Sequence, residues 1–450
     1  MICTNTFTTW LEQFINFERT PKKDILNLKK MQMLAEYFGN PHQAYKTIHV
    51  AGSKGKGSTA TLISCCFRAA GFKTGLYTSP HVIDFRERIT LSGDFFSDEA
   101  YAQAYQEVIE GFERLLKEHP DIEPTWFEIV TLLSFILFRN EKVDYAIFEV
   151  GLGGRLDTTN IINPVACAIL PIELEHCKYL GNTIEQIASE KAGIIKEGVP
   201  VFCFEQKSEA LTVFQAHAAE KNAPLFYLPD FLEQVDSTIS LDGQSISIHY
   251  KPNTTIGALF YEPLQTTLRL LDPIQAKNAS LVAALVKYCN PNIENAHIEK
   301  GLHAARLFAR FEVLHTEPLI VIDGAHTENS LRLTVQTFQN LTTKKGLLVF
   351  ACAEDKPSDI LAQVFENKFD TIYLTIPGSF KKSNFAKLTQ DFTAYFDSKN
   401  SRQKIVHSDD YTSVIEQAIN EGLRTKTPVL ITGSFYLAGE AKQYARSRFQ

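Results

Sequence analysis

The chain has no run of about 18 uninterrupted apolar residues, and Met1 to Arg19 lacks a basic start followed by an apolar core. Neither a membrane span nor an export signal is expected. Nor is there an excess of basic charge: 45 Lys and Arg stand against 52 Asp and Glu, for a formal net charge of −7. Coating a polyphosphate backbone requires clustered Lys and Arg, so nucleic acid is not the expected partner. A local basic pocket could still hold a small anion. The eight cysteines show no C-x-x-C spacing, which leaves buried free thiols in a reducing compartment as the economical reading. No repeat with a period of roughly 20 to 50 residues suggests a solenoid. A cytoplasmic globular protein is expected.

What is present is a 450-residue chain with 44% hydrophobic and 22% charged residues, too long for one ordinary core. From Thr47 onward, short β-rich runs alternate with amphipathic helix-length stretches, the pattern of a parallel sheet covered by helices. Strands are expected at 47–51, 74–78, 143–150, 165–170 and 199–204, with helices at 58–70, 98–117, 126–140 and 183–194. Residues 236–270 interrupt the alternation, and the turn Asp242-Gly243 between two β-rich runs predicts an antiparallel hairpin. Helices from Pro273 to about Tyr288 and over 294–304 precede a second alternation with apolar strands at 319–322, 346–350, 371–374 and 428–432. The expected fold is α/β: a doubly wound, mostly parallel N-terminal domain (1–303) with a small β appendage, and a smaller Rossmann-like C-terminal α/β domain (304–450).

The strongest local signal is Ile48-His49-Val50-Ala51-Gly52-Ser53-Lys54-Gly55-Lys56-Gly57-Ser58-Thr59, a strand running through glycines into a helix. Glycines let successive backbone N–H groups converge on phosphate oxygens, and the helix presents its positive end to the same charge. Lys56 would neutralise the terminal phosphates of ATP and Ser58 would hold Mg²⁺. The loop is a variant, because Val50 stands at the first glycine position of G-x-x-x-x-G-K-[ST] and Gly57 intervenes before Ser58. Lys54 is either a second phosphate contact or a solvated side chain. A second strand, Val143 to Val150, ends in Glu149 and runs into Gly151-Leu152-Gly153-Gly154. A carboxylate there would complete a Mg²⁺ shell, or else be a solvated rim residue. Glu175-His176 and Lys191 carry no assignment by themselves.

Taken together these segments resemble the folylpolyglutamate synthase/dihydrofolate synthase family, a branch of the Mur ligases. Further matches are Thr78-Ser79-Pro80-His81 with Phe85 to Ile89, Thr125 to Glu128, Glu149 to Asn160, Leu180-Gly181, Glu190 to Ile194, Asp323 to His326 and Thr432 to Leu437. The resemblance implies an ATP-dependent ligase that joins L-glutamate to a folate or dihydropteroate carboxylate through an acyl phosphate, usually as a monomer. It implies two Mg²⁺ sites, the first held by Ser58 and Glu149 and the second by Glu149 and His176, with Lys191 carbamylated beside the second. Gly52, Ser53, Lys54, Gly55, Lys56, Gly57, Ser58, Thr59, Asn278, Arg310, Asp323 and His326 match ATP-binding positions. Thr125, Phe127, Asp157 and Thr158 fall where the pterin is held, and Lys56, His176 and Lys191 where catalysis occurs.

The sequence departs from the family pattern at Glu175, where Asp is usual, at Ala309, where Gly is usual, and at Thr327-Glu328, where Asn-Pro is usual. Two other readings compete. A Mur-type ligase for a peptidoglycan precursor would share the loop, Glu149, His176 and Lys191, but lack the T-S-P-H segment. A nucleotide-binding homologue without activity is the reading from another class. A P-loop kinase or GTPase leaves the second domain and Lys191 without a task.

Overall fold

The alternation of strands and helices becomes two separate sheets in the computed structural model, which describes residues 2–16, 28–378 and 382–449. Met1–Arg19 therefore lies partly outside the described residues, and Thr4–Leu11 within it is helical. The first sheet contains β1 (Lys46–Ala51), β2 (Thr74–Tyr77), β3 (Ile89–Leu91), β4 (Tyr145–Glu149), β5 (Ala166–Ile169), β6 (Val201–Cys203) and β7 (Leu225–Tyr227). Its order is β3-β2-β4-β1-β5-β6-β7, with only the β2–β3 pair antiparallel. The chain leaves β1 for strands on one side and later returns to build the other side, so the order reverses at β1. In open α/β sheets such a reversal opens a crevice at the carboxyl ends of the central strands. The register aligns those ends: Val50 pairs with Glu149 and Ala51 with Ile169.

The helix Trp126–Asn140 is buried on nearly every side, as its almost continuous apolar sequence requires. It joins Phe7, Tyr77, Phe112, Phe148 and their neighbours in one apolar core, while Ile187, Val201 and Phe214 belong to a second core of the same unit. The helix Asn295–Ala304 crosses the helix Lys56–Ala69 at Gly301, where a Cβ would come 2.4 Å from Cys66 Cα. All eight cysteines are free thiols, five of them buried.

The expected hairpin forms as β8 (Leu232–Ser240) and β9 (Gly243–Tyr250), and β10 (Leu264–Leu268) adds a third strand in the order β10-β9-β8. This region is divided between two compact units. One comprises Met1–Asp236, Ile246–Thr266 and Ala276–Ala305, and the other Ser237–Ser245, Thr267–Gln275 and Arg306–Gln450. The sequence expectation placed the whole appendage with residues 1–303; side-chain packing across the hairpin assigns Ile239 and Leu271 to a core of the second unit.

That second unit is built on β11 (Glu312–Thr316), β12 (Leu319–Ile322), β13 (Gly346–Phe350), β14 (Phe369–Leu374), β15 (Lys404–His407) and β16 (Val429–Thr432), in the order β11-β12-β16-β13-β14-β15. Only β11 is antiparallel to its neighbour. Among the described residues no helix is long and apolar enough to cross a membrane.

Candidate active site

At the end of β1 the backbone turns through Gly52 (φ 146°) and Gly55 (φ 85°) into the helix Lys56–Ala69. Both angles lie in the region that favours glycine. Gly52 is also a close approach, since a Cβ there would lie 2.5 Å from Leu170 Cβ. The first turn of a helix has N–H groups with no intrahelical partner and carries partial positive charge, and here it faces the crevice of the sheet. A Cβ on Gly57 would sit 3.4 Å from the Glu149 carboxylate, which also accepts from the Ser79 N–H at 3.0 Å. Ser58 and Thr59 are buried behind this turn. Asn278, on the helix Pro273–Cys289, is buried with its amide nitrogen 3.6 Å from where a Gly55 Cβ would be.

The loop carbonyls collect cations. Lys56 Nζ donates to Gly52 O at 2.9 Å, and Lys191 Nζ donates to the same oxygen at 2.8 Å. Lys191 is 1% exposed and also pairs with Glu175 at 3.0 Å. Burial and the neighbouring Lys56 ammonium draw its pKa down to about 8, against the pull of Glu175. Burial alone would raise the Glu175 carboxyl, but the ammonium groups of Lys191 and Lys56 hold it below its ordinary range. The extra methylene of Glu over the usual Asp is thus taken up in reaching Lys191. His176 follows in the left-handed region (φ 48°, ψ 35°) at the start of the short helix Cys177–Leu180, a conformation that costs a non-glycine residue roughly 1–2 kcal/mol.

Ser53 does something the sequence did not disclose. Its N–H donates to Pro171 O at 2.9 Å, while its hydroxyl donates to Glu173 O and accepts from Glu173 N. The phosphate loop is therefore clasped to the segment that carries Glu175 and His176. Gln206 holds that segment from the other side, through Leu170 O at 2.9 Å and Ile172 N at 3.1 Å. Lys54 is half-buried at the rim of the loop.

The four residues expected around the pterin are placed by capping and by a buried polar network. Thr125 caps the helix Trp126–Asn140 in a reciprocal box with Glu128. The Phe127 ring lies over Gly151, where a Cβ would come within 2.5 Å of it. Asp157 is buried and accepts four hydrogen bonds, from the N–H groups of Gly151, Leu152 and Thr159 and from the Thr159 hydroxyl. Burial pushes this carboxyl up, while the four donors act in the opposite direction. The Thr158 hydroxyl meets that of Thr131 at 2.7 Å.

In the second unit, Arg310 and His326 gather around Phe435. The Arg310 guanidinium lies 4.6 Å above the Phe435 ring, and His326 stands edge-on to it at 6.1 Å. His326 Nδ1 lies 2.8 Å from Gly324 O, and since a carbonyl only accepts, Nδ1 carries a proton. Asp323 is buried and accepts from Phe311 N, Ala325 N and Thr334 Oγ1. Ala309 occupies the left-handed region at φ 50°, which accounts for glycine being the usual residue there. Thr327 and Ser330 cap the helix Glu328–Asn340, so the departure from Asn-Pro preserves a helix start by other means.

Oxygen donors suit a hard divalent cation, and Ser58 and Glu149 supply them beside a helix turn kept clear by Gly57. Among the described residues no group of three or more His, Cys, Asp or Glu side chains converges on one point. The residues present are compatible with a Mg²⁺-nucleotide.

A parallel sheet with a phosphate loop at its reversal point, an acidic strand end beside that loop, and a second α/β unit define the class of Mur ligases. The Mur ligase middle domain matches residues 50–286, and the Mur ligase glutamate ligase domain matches residues 309–435. The dihydrofolate synthase/folylpolyglutamate synthase of Bacillus subtilis is 31% identical over 441 residues, covering 97% of each chain. The chain belongs to the folylpolyglutamate synthase/dihydrofolate synthase family. The Mycobacterium tuberculosis folylpolyglutamate synthase (FPGS) complexed with ADP and AMPPCP superposes with a TM-score of 0.85 at 25% identity, covering 98% of both chains. An FPGS–AMPPCP–folate complex superposes with a TM-score of 0.80 at 27% identity, covering 98% of this chain and 99% of the other.

Proposed function

We propose that this protein is an ATP-dependent ligase that adds L-glutamate to folate, with dihydropteroate as a second acid substrate. The observation that carries the reading is the glycine-rich loop: a helix N-terminus opening at Lys56, whose ammonium is held on Gly52 O, with the Glu149 carboxylate beside Gly57. Such a site accepts a polyanion. A carboxylate oxygen of the acid attacks the γ-phosphorus of ATP, the bond to the ADP oxygen breaks, and an acyl phosphate forms. The glutamate amine then attacks the acyl carbon, inorganic phosphate leaves, and the amine proton passes to solvent or phosphate.

In this reading the backbone from Gly52 to Thr59 cradles the phosphates, with Ser53, Lys54, Gly55 and Gly57 shaping the loop. Lys56 holds the charge that develops on the transferred group. Asn278, Arg310, Asp323 and His326 are taken as further nucleotide-binding positions, Arg310 for the phosphates and Asp323 for the ribose. Phe127 offers its ring to the pterin, while Thr125, Asp157 and Thr158 maintain the wall around it. Ser58 and Glu149 would hold one Mg²⁺, and Glu149 and His176 a second. Mg²⁺ supplies charge neutralisation between carboxylate and triphosphate. Lys191, with its lowered pKa, has a sizeable neutral fraction near pH 8, and that free amine can add dissolved CO2 and release a proton to give a carbamate. We place the protein in the cytoplasm as a monomer acting on small molecules.

The test is glutamate incorporation with tetrahydrofolate and dihydropteroate offered in parallel, beside a nucleotide-linked peptidoglycan precursor. ATP-dependent incorporation into both pterin acids supports the proposal, and incorporation into tetrahydrofolate alone removes dihydropteroate from it; incorporation only into the precursor, or none at all, overturns it. The carbamate is checked separately: Lys191→Ala loses activity that acetate or another short carboxylate partly restores, and absence of rescue removes the carbamate from the reading.

A further inference from the structure

We propose that His49 and Thr159 are positioning residues that set the glycine turn Gly151–Gly154, and through it the seat of the acid substrate. The inference rests on the reading above that the pterin-bearing acid lies against this turn. His49 stands on β1, the strand that leads into the phosphate loop, and is fully buried. Its Nε2 lies 2.8 Å from Thr159 Oγ1. The Thr159 hydroxyl donates its one proton to Asp157 Oδ1 at 2.5 Å, so toward His49 it can only accept. The imidazole is therefore the Nε2–H tautomer. Burial, reinforced by the Lys196 ammonium, brings its pKa down to about 3, so the ring is a standing neutral donor across the working range of pH.

The chain of donors continues in one direction. With Oδ1 taken by the Thr159 hydroxyl and N–H, Asp157 turns Oδ2 to the amides of Gly151 and Leu152 at 3.0 and 2.9 Å. Those amides open the turn that follows Glu149. Phe127 packs on Gly151, and Gly154 presses on the backbone of Glu190 and Lys191, where a Cβ would come 2.8 Å from Glu190 O. Three packed groups thus take their places from one turn, and the turn takes its own from Asp157. The glycine-rich loop after β1 has braces that do not pass through this turn, Ser53 on Glu173 and Lys56 on Gly52 O. Disturbing the His49–Thr159–Asp157 chain should reach the acid site before the nucleotide site.

The experiment compares Thr159→Val, which keeps shape and removes the hydroxyl, with Thr159→Ser, which restores it. In the unliganded protein, hydrogen exchange of the peptide carrying Gly151 and Leu152 is expected to quicken about tenfold in the Val variant and return near the wild-type rate in Ser, the size of effect a lost buried hydrogen bond produces. This readout does not depend on what the substrate is. In steady-state assays the KM for the pterin acid should rise about tenfold in Val while the KM for ATP stays within about twofold. Wild-type incorporation, measured first, tells failure of the functional reading from failure of this inference. Unchanged exchange in Thr159→Val, both KM values rising together, or no recovery in Ser would overturn it. Should the Val variant not fold, His49→Gln, which can offer an N–H in place of Nε2, against His49→Leu makes the same comparison with the same outcomes.

Discussion

Replacing Gly52 by alanine tests the phosphate loop at its tightest point. The methyl group would lie 2.5 Å from Leu170 Cβ and 3.0 Å from Leu170 Cα, on a backbone at φ 146°. A side chain in that region costs on the order of 1–3 kcal/mol, and overpacking a close-packed site adds roughly 1–3 kcal/mol. The sum, about 2–6 kcal/mol, is a large share of the roughly 5–15 kcal/mol that stabilises a typical domain. A fall in Tm on the order of 10 °C is expected by calorimetry. Gly52 O also receives both Lys56 and Lys191, so its displacement should weaken a non-hydrolysable ATP analogue by about 10- to 100-fold, the worth of a charged hydrogen bond. Because the clash is with Cβ and Cα, Gly52→Ala combined with Leu170→Ala gains no relief, whereas Leu170→Gly relieves part of it. A Gly52→Ala protein with Tm within about 1 °C and analogue affinity within about twofold of wild type would refute this account of the loop, as would full rescue by Leu170→Ala.

On the proposed role of Lys56 as the ammonium that meets developing phosphoryl charge, Lys56→Ala should lower kcat/KM for ATP by at least about 100-fold in steady-state kinetics; a full-rate variant contradicts the assignment. Glu175 has a carboxyl pKa held below its unfolded value, so its stabilisation is complete above the unfolded pKa and is lost as pH falls through the folded one. Wild type should therefore lose more Tm than Glu175→Gln on acidification from about pH 5 to 3, and parallel curves would show that the ion pair with Lys191 contributes nothing. Thr125→Ala removes the cap of the helix Trp126–Asn140 and should cost about 1 kcal/mol in denaturant unfolding, with no change expected if the box with Glu128 were incidental.

The central strands were legible because they are buried on both faces and read as apolar runs: β1, β2, β4, β5, β6, β12, β13, β14 and β16 all fall within a residue or two of expectation. The strands that escaped were β3, β7, β10, β11 and β15, each at the edge of its sheet. Edge strands such as β11 and β15 are half-buried or exposed, and nothing obliges them to be apolar. The helices Asp98–Glu118 and Trp126–Asn140 were readable to within a residue from their apolar spacing. The site divided along similar lines. Gly52, Lys56 and Glu149 were proposed from local pattern, whereas Ser53's clasp on Glu173, Gln206's hold on Leu170 and the His49–Thr159–Asp157 chain join residues distant in sequence.

By itself the sequence determined two α/β units, a glycine-rich loop between strand and helix, and a family, because glycine placement, strand hydrophobicity and helical apolar spacing are properties of neighbouring residues. Only the tertiary structure decided which groups that loop works with: that Lys191 and Lys56 share one carbonyl, that Glu175 reaches Lys191, and that parts of the 237–275 region belong with the second unit. Such facts depend on strand order and on side chains brought within about 3 Å across the chain, and hydrogen bonds and ion pairs of that range leave no periodic trace in a linear sequence.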